Sequence, residues 1–326
     1  MKRLGFLIAA LVVLALAVLA SVAFGSHPTS PGDVLDVLRG VADPAVADVV
    51  ESRYPRTALG LLAGLCLAVA GTLMQGVTRN PLADPGLLGV TSGASAAIVT
   101  SMAFLGVSGQ SSTVWWGLAG ALVSGVVVHV IGSAGTGAGQ ARLVLAGAVV
   151  SAVSLAYIQA VALGNPRVFD SYRYWVVGAL GGRDFPVLVS VLPPAVLGLV
   201  LAVVLSSGLN TLALGDESAA SLGANPAWLR AGGLLAAVML AAAATAAVGP
   251  IAFVGLAVPH IVRSFAGVDL RAQIVFSAVA GPALLLLADV AGRLVLAPQE
   301  LMVGVVTAFI GAPALLLAVR KMRSVA

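Results

Sequence analysis

The sequence predicts an all-α membrane protein with about ten transmembrane helices, some of them broken or re-entrant. Of the 326 residues, 60% are hydrophobic and only 9% are charged, and the mean hydropathy is +1.08. Soluble domains carry about 25% charged residues, so this composition indicates a protein that crosses the membrane many times. The apolar runs are continuous rather than alternating, which favours helices over a β-barrel. We expect residues 1–326 to form a single membrane domain.

The spans can be placed in order along the chain. The first apolar run, 4–24, follows Lys2 and Arg3 and is too long for the core of a signal peptide. We therefore expect an uncleaved helix that starts in the cytoplasm. A cationic tail at 320–323 places the C-terminus on the same side, which requires an even number of spans. The other nine apolar runs are 55–76, 90–107, 114–132, 142–163, 186–206, 228–247, 251–266, 272–291 and 302–319.

The second span carries a stripe of small residues that ends in a helix break. Small side chains recur every four positions, at Gly60, Gly64, Ala68, Thr72 and Gly76. This spacing keeps them on one helix face, where another backbone can approach closely. The helix then meets the turn-forming segment Asn80-Pro81-Leu82. We expect a central helix packed on all sides, which a simple membrane anchor does not need.

Two polar segments and two further breaks complete the pattern. Segment 25–53 holds five carboxylates and is expected outside, whereas 209–225 is too polar for lipid and is expected inside, with one or two short helical turns at 218–222. Breaks occur at Gly249-Pro250 and Gly281-Pro282. Such breaks are tolerated at membrane depth only where protein or a water-filled cavity covers the backbone. They therefore favour a translocation path over an anchor.

The motifs of several enzyme classes are absent. The sequence contains no P-loop, no H-E-x-x-H and no G-x-S-x-G, and its arginines form no basic stripe of the kind that binds nucleic acid. The histidines His27, His129 and His260 are far apart and Cys66 is the single cysteine, so no metal site is expected. An intramembrane enzyme lacks any catalytic constellation here.

Four segments resemble the FecCD family, the permease subunits of type II ABC importers for iron-siderophores, haem and vitamin B12. They are RYPR with QGVTRNPLADPGLLGVTSGAS in 53–95, LNTLALGDESAASLGAN at 209–225, GPIAFVGLAVPHIVRSFAGVDLR at 249–271, and ADVAGRLVLAPQELMVGVVTAFIGAPALLLAVRK at 288–321. The resemblance implies a ten-helix permease in a bacterial cytoplasmic membrane. Its implied partners are a second permease subunit, two ATPase subunits that bind the ATP and magnesium, and a periplasmic or lipid-anchored substrate-binding protein. This chain itself would hold no cofactor.

The resemblance also assigns roles to outer arginines. Arg53, Arg56 and Arg293 match the arginines that dock glutamates of the binding protein. The alternative is that they anchor helix ends among lipid headgroups. Asp289 lies one helical turn before Arg293, and a local salt bridge between the two is the preferred interpretation.

The polar segment 209–225 matches the family's coupling helices, which contact the ATPases. The residues assigned to this role are Leu214, Gly215, Asp216, Glu217, Ser218, Ala219, Ser221, Leu222 and Gly223. A solvated loop without a partner is the alternative. A secondary transporter, which would need an ion site at a helix break, has no evident use for such a segment.

Gate and path residues follow from the same resemblance. Asn80, Pro81 and Leu82 match one cytoplasmic gate, where Leu82 could seal the path by dewetting. A second gate would hold Gln140 and Ala141, where relatives often carry small hydroxyl residues. His260 would line the path or, in the preferred interpretation, bond a freed carbonyl. Gln75 would face the path or a dimer interface.

The first choice of substrate is a ferric siderophore. Segment 169–184, FDSYRYWVVGALGGRD, resembles the siderophore branch of the family more than its B12 branch. Haem and cobalamin are the alternatives. Whether the second permease subunit is another copy or a paralogue stays open.

Overall fold

The computed structural model describes residues 2–133 and 139–323, although not the side chains at 2, 31, 133–140 and 314–323. The secondary structure of the described residues is helical throughout. One 3-10 turn, Pro85–Leu88, lies between α4 and α5. The α-helices are α1 Lys2–Ala23, α2 Pro31–Arg39, α3 Pro44–Glu51, α4 Arg53–Thr78, α5 Val90–Phe104, α6 Gln110–Ser133, α7 Gly139–Gly164, α8 Pro166–Val176, α9 Phe185–Leu212, α10 Asp216–Ser221, α11 Pro226–Val248, α12 Val254–Ala266, α13 Leu270–Val295 and α14 Val303–Arg323.

The predicted spans match α1, α4, α5, α6, α7, α9 and α11 to α14, which confirms the predicted membrane fold. Their ends agree within about four residues, except that α9 continues six residues past its predicted end, to Leu212. Within the described ranges, seven helical segments are long and apolar enough to cross a membrane, and α5, α12 and the Val303–Pro313 part of α14 are shorter apolar helices. The predicted turns at 218–222 correspond to α10, which begins two residues earlier.

Three short helices were not predicted within the polar connections. In α2, Ser30 and Asp33 form a reciprocal capping box with Pro31 at the first position. Asp43 caps α3 in front of Pro44, and Asn165 caps α8 in front of Pro166. In each case a capping residue followed by proline marks the start of the helix in the sequence.

The small-residue stripe of α4 packs against α13, as its spacing predicted. A Cβ on Gly64 would meet the backbone of Gly281 and Pro282 within 2.7 Å. Further along the contact, Thr72 donates from Oγ1 to Ser277 Oγ at 2.8 Å. The core is therefore centred on α4, and most residues of α4 and α11 are buried.

The helix α12 crosses only part of the bundle. It follows a break in which Gly249 and Phe253 have φ values of 79° and 71°. Gly71 of α4 lies against the backbone of Gly255, where a Cβ would come within 1.9 Å of the carbonyl oxygen. This close approach holds the start of α12 against the middle of α4.

The two ends of the bundle differ in their charged residues. With 26 residues, α4 is about 39 Å long, so its two termini lie at opposite ends. We call the end with Arg53 and Arg293 the arginine end, and the end with α10 the α10 end. The start of α1 lies at the α10 end, where Arg3 pairs with Asp269 at 3.8 Å.

Candidate functional site

At the arginine end, Arg53 is bonded to the end of α1. Its guanidinium donates to the carbonyl oxygens of Val22 and Ala23, each at 2.9 Å, and to His27 O at 3.0 Å. It also donates to Thr29 Oγ1 at 2.7 Å. The last carbonyls of a helix lack partners within the helix, so Arg53 satisfies them from the first turn of α4. Arg53 is only 5% exposed.

Arg293 holds the same helix end from α13. It donates to Ser21 O at 2.9 Å and to Phe24 O at 2.8 Å. It also pairs with Asp289 at 2.9 Å across one helical turn, which confirms the predicted local salt bridge. Arg293 is 1% exposed, and its Nε is a buried donor that finds no hydrogen-bond partner among the residues that the structure describes.

Arg56 joins these contacts to the loop before α14. Its Nε and Nη2 donate to the two carboxylate oxygens of Asp289 at 3.0 and 2.8 Å, the two-point geometry typical of strong arginine pairs. Its Nη1 donates to Glu300 Oε2 at 2.8 Å, and Ser26 donates to the other oxygen of Glu300. Burial alone would raise the pKa of the Glu300 carboxyl, but the hydrogen bond and charge of Arg56 hold that pKa below its usual value.

These groups line a cavity of about 470 Å³. Its wall also includes Arg183, from the loop between α8 and α9, together with Asp48 and Asp184. Arg183 forms no ion pair with the described residues. Partial burial lowers the pKa of its guanidinium, although an arginine stays charged at physiological pH. Arg183 is thus a further cation of this cavity, to which sequence reasoning assigned no docking role.

The three predicted docking arginines lie close together in the structure. Their guanidinium groups, however, form hydrogen bonds to groups of the same chain. Arg53 and Arg293 are almost fully buried, and the Arg56 side chain is 13% exposed. Apart from the Arg293–Asp289 pair, one helical turn apart, their contacts join residues 24 to 272 positions apart in sequence, so no local pattern predicts those contacts. Docking to a partner stays a prediction, and Arg56 is the most accessible of the three.

At the α10 end, α4 stops at a tight turn. Arg79 caps the helix in the left-handed conformation, with φ 49°. The Asn80 Oδ1 accepts a hydrogen bond from Leu82 N at 2.9 Å, and Ala83 N donates to Asn80 O at 3.1 Å. Leu82 is 40% exposed. The predicted gate segment is therefore a short, internally bonded turn that presents a leucine at its tip.

The short helix α10 has one face turned to the bundle. Ala219 is fully buried, whereas Leu214 and Leu222 are 64% and 65% exposed and Glu217 is also exposed. α10 packs against α9 and α11.

The carboxylate of Asp216 points back towards the bundle. Its Oδ1 accepts from Arg79 and from Arg230, each at 2.6 Å. Burial alone would raise the pKa of Asp216, but its bonds to Arg230 and Arg79 lower it. Both arginines were missed in the sequence analysis, since nothing in the local pattern relates positions 79, 216 and 230.

The remaining predicted path residues lie apart from each other. Gln75 is 2% exposed and its Nε2 donates weakly to Gly255 O at 3.4 Å, so it lies at the contact between α4 and α12. His260 is exposed, and its imidazole has no hydrogen-bond partner among the described residues. These residues therefore lend no support to the preferred interpretation, a bond to a freed carbonyl, and the role of His260 stays a prediction. Ala141 is exposed near the start of α7, and the Gln140 side chain lies outside the described part.

Within the described ranges, no cluster of three or more histidine, cysteine, aspartate or glutamate residues has an arrangement that could hold a metal ion.

Comparisons with known proteins give one consistent result. The FecCD transport family matches residues 13–321. The chain is 44% identical to the ferric enterobactin transport system permease protein FepD of Escherichia coli (strain K12), over 95% of this chain and 93% of that protein. It is 42% identical to the Fe(3+)-citrate import system permease protein YfmD of Bacillus subtilis (strain 168), over 83% and 81%.

The fold agrees with the sequence match. A solved structure described as an inward-facing metal-chelate type ABC transporter superposes with a TM-score of 0.83 at 26% identity. That comparison covers 97% of this chain and 99% of the solved chain. With the family matched over nearly the whole length, the chain belongs to the FecCD transport family.

Proposed function

We propose that this chain is the membrane-spanning subunit of an ATP-driven importer that carries a ferric siderophore into a bacterial cell. The observation that carries the proposal is α10, a polar helix held at one end of an apolar bundle with its outer face exposed. In this proposal two ATPase subunits bind at the α10 end. The α10 end and both termini are then cytoplasmic, and the arginine end faces outward.

The ATPase contact would use the outer face of α10. Leu214 and Leu222 expose large apolar side chains beside Glu217 on a polar segment. Burying such residues against a partner is favourable, by about 25 cal/mol per Å² of apolar surface. The buried Ala219 and the bonded Asp216 would meanwhile keep α10 attached to its own chain. Such an arrangement suits a contact that must transmit motion.

The substrate-binding protein would dock at the arginine end. Arg56 already pairs with a carboxylate of its own chain, that of Glu300, whose side chain is 35% exposed. A carboxylate of the partner could exchange with Glu300 for Arg56. It could also pair with Arg183, which has no ion-pair partner within the described part. Arg53 and Arg293 would support this surface through their contacts with the end of α1.

The gate would be the turn that carries Leu82. An exposed leucine at a constriction can close a path by excluding water, and the internal bonds of Asn80 fix its position. Alternation between the two open states then requires that each partner stabilise one state more than the other. No covalent chemistry falls to this chain.

The substrate class is inferred from relatives. The relatives described above are named for ferric enterobactin and Fe(3+)-citrate, which are both ferric chelates. A second permease subunit, identical or paralogous, would complete the path.

Co-purification tests the proposal. The chain is expressed with a candidate ATPase and a candidate binding protein from the same organism, and retention of the ATPase is measured for the wild type, Glu217→Arg and Leu222→Arg. Val268→Arg is the matched control, because Val268 is also exposed, at 84%, in the loop just before Asp269 at the α10 end. We expect both α10 variants to release the ATPase and the control to retain it. Uptake by this chain alone, driven by an ion gradient with no ATPase bound, would instead establish a secondary transporter.

A further inference from the structure

Asp216 connects three elements of the α10 end through one oxygen atom. Its Oδ1 lies 2.6 Å from Arg79 Nη2 and 2.6 Å from Arg230 Nη2. Asp216 is the first residue of α10, Arg79 ends α4, and Arg230 lies in the second turn of α11. A carboxylate shared by two guanidinium groups links all three elements at one point.

Arg79, which pairs with Asp216, lies directly before the turn that carries Leu82. Arg79 is followed directly by Asn80, whose side chain accepts from Leu82 N at 2.9 Å. Only two residues separate Arg79 from Leu82, and the turn between them is bonded internally. A displacement of Arg79 therefore moves Leu82 with it.

The other contact of Asp216, with Arg230, joins α10 to a helix that is held firmly in the bundle. Arg230 belongs to α11, whose start is capped by Asn225 through bonds from Ala227 N and Trp228 N. Most of the rest of α11 is buried in the bundle. A movement of α10 relative to α11 therefore lengthens or shortens the bond from Asp216 Oδ1 to Arg230, and so changes how that oxygen is shared between Arg230 and Arg79.

We propose that Asp216 is the positioning residue that carries movement of α10 to the gate at Leu82, through its ion pair with Arg79. The inference rests on the proposed function and assigns the two faces of α10 different tasks. Glu217, Leu214 and Leu222 face outward to the ATPase, whereas Asp216 faces inward to Arg79. The same short helix thus receives the movement on one side and passes it on from the other.

A purely stabilising role does not explain the arrangement. The side chains of Asp216, Arg79 and Arg230 are each about a third to a half exposed, and exposed ion pairs add little to stability. Loss of the carboxylate should leave the fold intact, because Ala219 still packs α10 against the bundle. It should also leave Arg79 beside Arg230 without the shared anion, so that the two cations repel each other.

The test uses a cysteine at the gate as a reporter. Cys66 is the single cysteine of this chain and is fully buried. Labelling of the permease–ATPase complex, read on the permease chain after the subunits are separated by gel electrophoresis, therefore reports chiefly on Leu82→Cys. The labelling rate of Leu82→Cys is measured with and without nucleotide. The same pair of rates is then measured for the double variant Leu82→Cys with Asp216→Ala. Asp170→Ala is the matched control, since Asp170 is an exposed aspartate paired with Arg173 at 3.3 Å on α8.

We expect the Asp216→Ala complex to retain its ATPase while the nucleotide-dependent ratio of labelling rates moves towards one. Transport per ATP hydrolysed should fall by at least about fivefold, the lower range of coupling between sites. Asp216→Glu should restore both the nucleotide-dependent labelling ratio and the transport per ATP hydrolysed. Asp170→Ala should change neither quantity. Arg79→Gln combined with Asp216→Ala should be no worse than either single change, because the two residues act through one contact.

Three results would overturn the inference, and they are distinguishable. An unchanged labelling ratio in Asp216→Ala would show that the gate does not depend on this contact. Release of the ATPase by Asp216→Ala would make Asp216 a direct ATPase contact instead. If the wild-type chain binds no ATPase at all, the proposed function itself fails, and the link fails with it.

Discussion

Gly64 of α4 lies against Pro282 of α13 so closely that a Cβ at position 64 would come within 2.6 Å of Pro282 Cα. The obstacle is backbone, which cannot move aside as the end of a side chain can. Pro282 lies inside α13 beside Gly281, so both helices supply small or ring-shaped residues at the point of contact. This pair sets how closely the two central helices can pack.

We predict that Gly64→Val destabilises the protein by more than the usual cost of overpacking, about 1–3 kcal/mol. The two helices must separate to admit the side chain. The measurement is the thermal unfolding midpoint of the purified protein in detergent. Gly5→Val is the control, because a Cβ there has no neighbour within 4 Å. Equal midpoints for Gly64→Val and wild type would contradict the packing as described.

The fold was largely predictable because its signals are local. Apolar runs gave the spans, the four-residue spacing of small residues gave the face of α4, and Asn80-Pro81 gave the helix break. The contacts of the arginine end were not predictable, apart from the Arg293–Asp289 pair one helical turn apart. Arg293 bonds to carbonyl oxygens 269 and 272 residues away, and every residue offers a carbonyl, so no sequence pattern marks the acceptor.

Removal of Arg293 should destabilise the fold rather than only weaken docking. Arg293→Met would leave the carbonyls of Ser21 and Phe24 without this donor and Asp289 paired with Arg56 alone. The charge of Asp289 stays compensated by Arg56, but a buried group that loses its hydrogen-bond partner costs about 1–3 kcal/mol. Arg39→Met, at an exposed arginine of α2, should unfold as the wild type does. Wild-type stability with loss of binding-protein affinity would instead assign Arg293 to docking.

Glu300→Gln should strengthen binding of the substrate-binding protein. The amide carries no charge to compete for Arg56, so a partner carboxylate would meet a less occupied guanidinium. The measurement is the dissociation constant of the purified binding protein for the permease–ATPase complex in nanodiscs. Ser26→Ala is the control, because it removes the second bond to Glu300 but keeps the charge. Weaker binding by Glu300→Gln would show that Glu300 itself belongs to the docking surface.

The contact between Glu300 and Arg56 should be insensitive to pH across the neutral range. Arg56 holds the pKa of Glu300 below its usual value, which is about 4.3 for a glutamate. Because the pKa of Glu300 is lowered, the Glu300–Arg56 contact contributes its full stabilisation at pH values above the usual glutamate pKa. This stabilisation is lost only as the pH falls through the lowered pKa of Glu300. The ratio of dissociation constants for wild type and Glu300→Gln should therefore stay constant between about pH 5.5 and 8. A ratio that shrinks on acidification within this range would mean that Glu300 already binds a proton there.

Leu82→Ser should open a leak without unfolding the protein. Leu82 is 40% exposed and lies at the tip of an internally bonded turn, so its loss removes little packing. A serine would instead favour water at the constriction, and a hydrophobic barrier acts by excluding water. Leu87 belongs to the same connection and is also 40% exposed, which makes Leu87→Ser the matched control. In proteoliposomes without nucleotide, a small polar solute should cross faster with Leu82→Ser than with wild type or Leu87→Ser. Equal leak from the two serine variants would place the barrier elsewhere in the path.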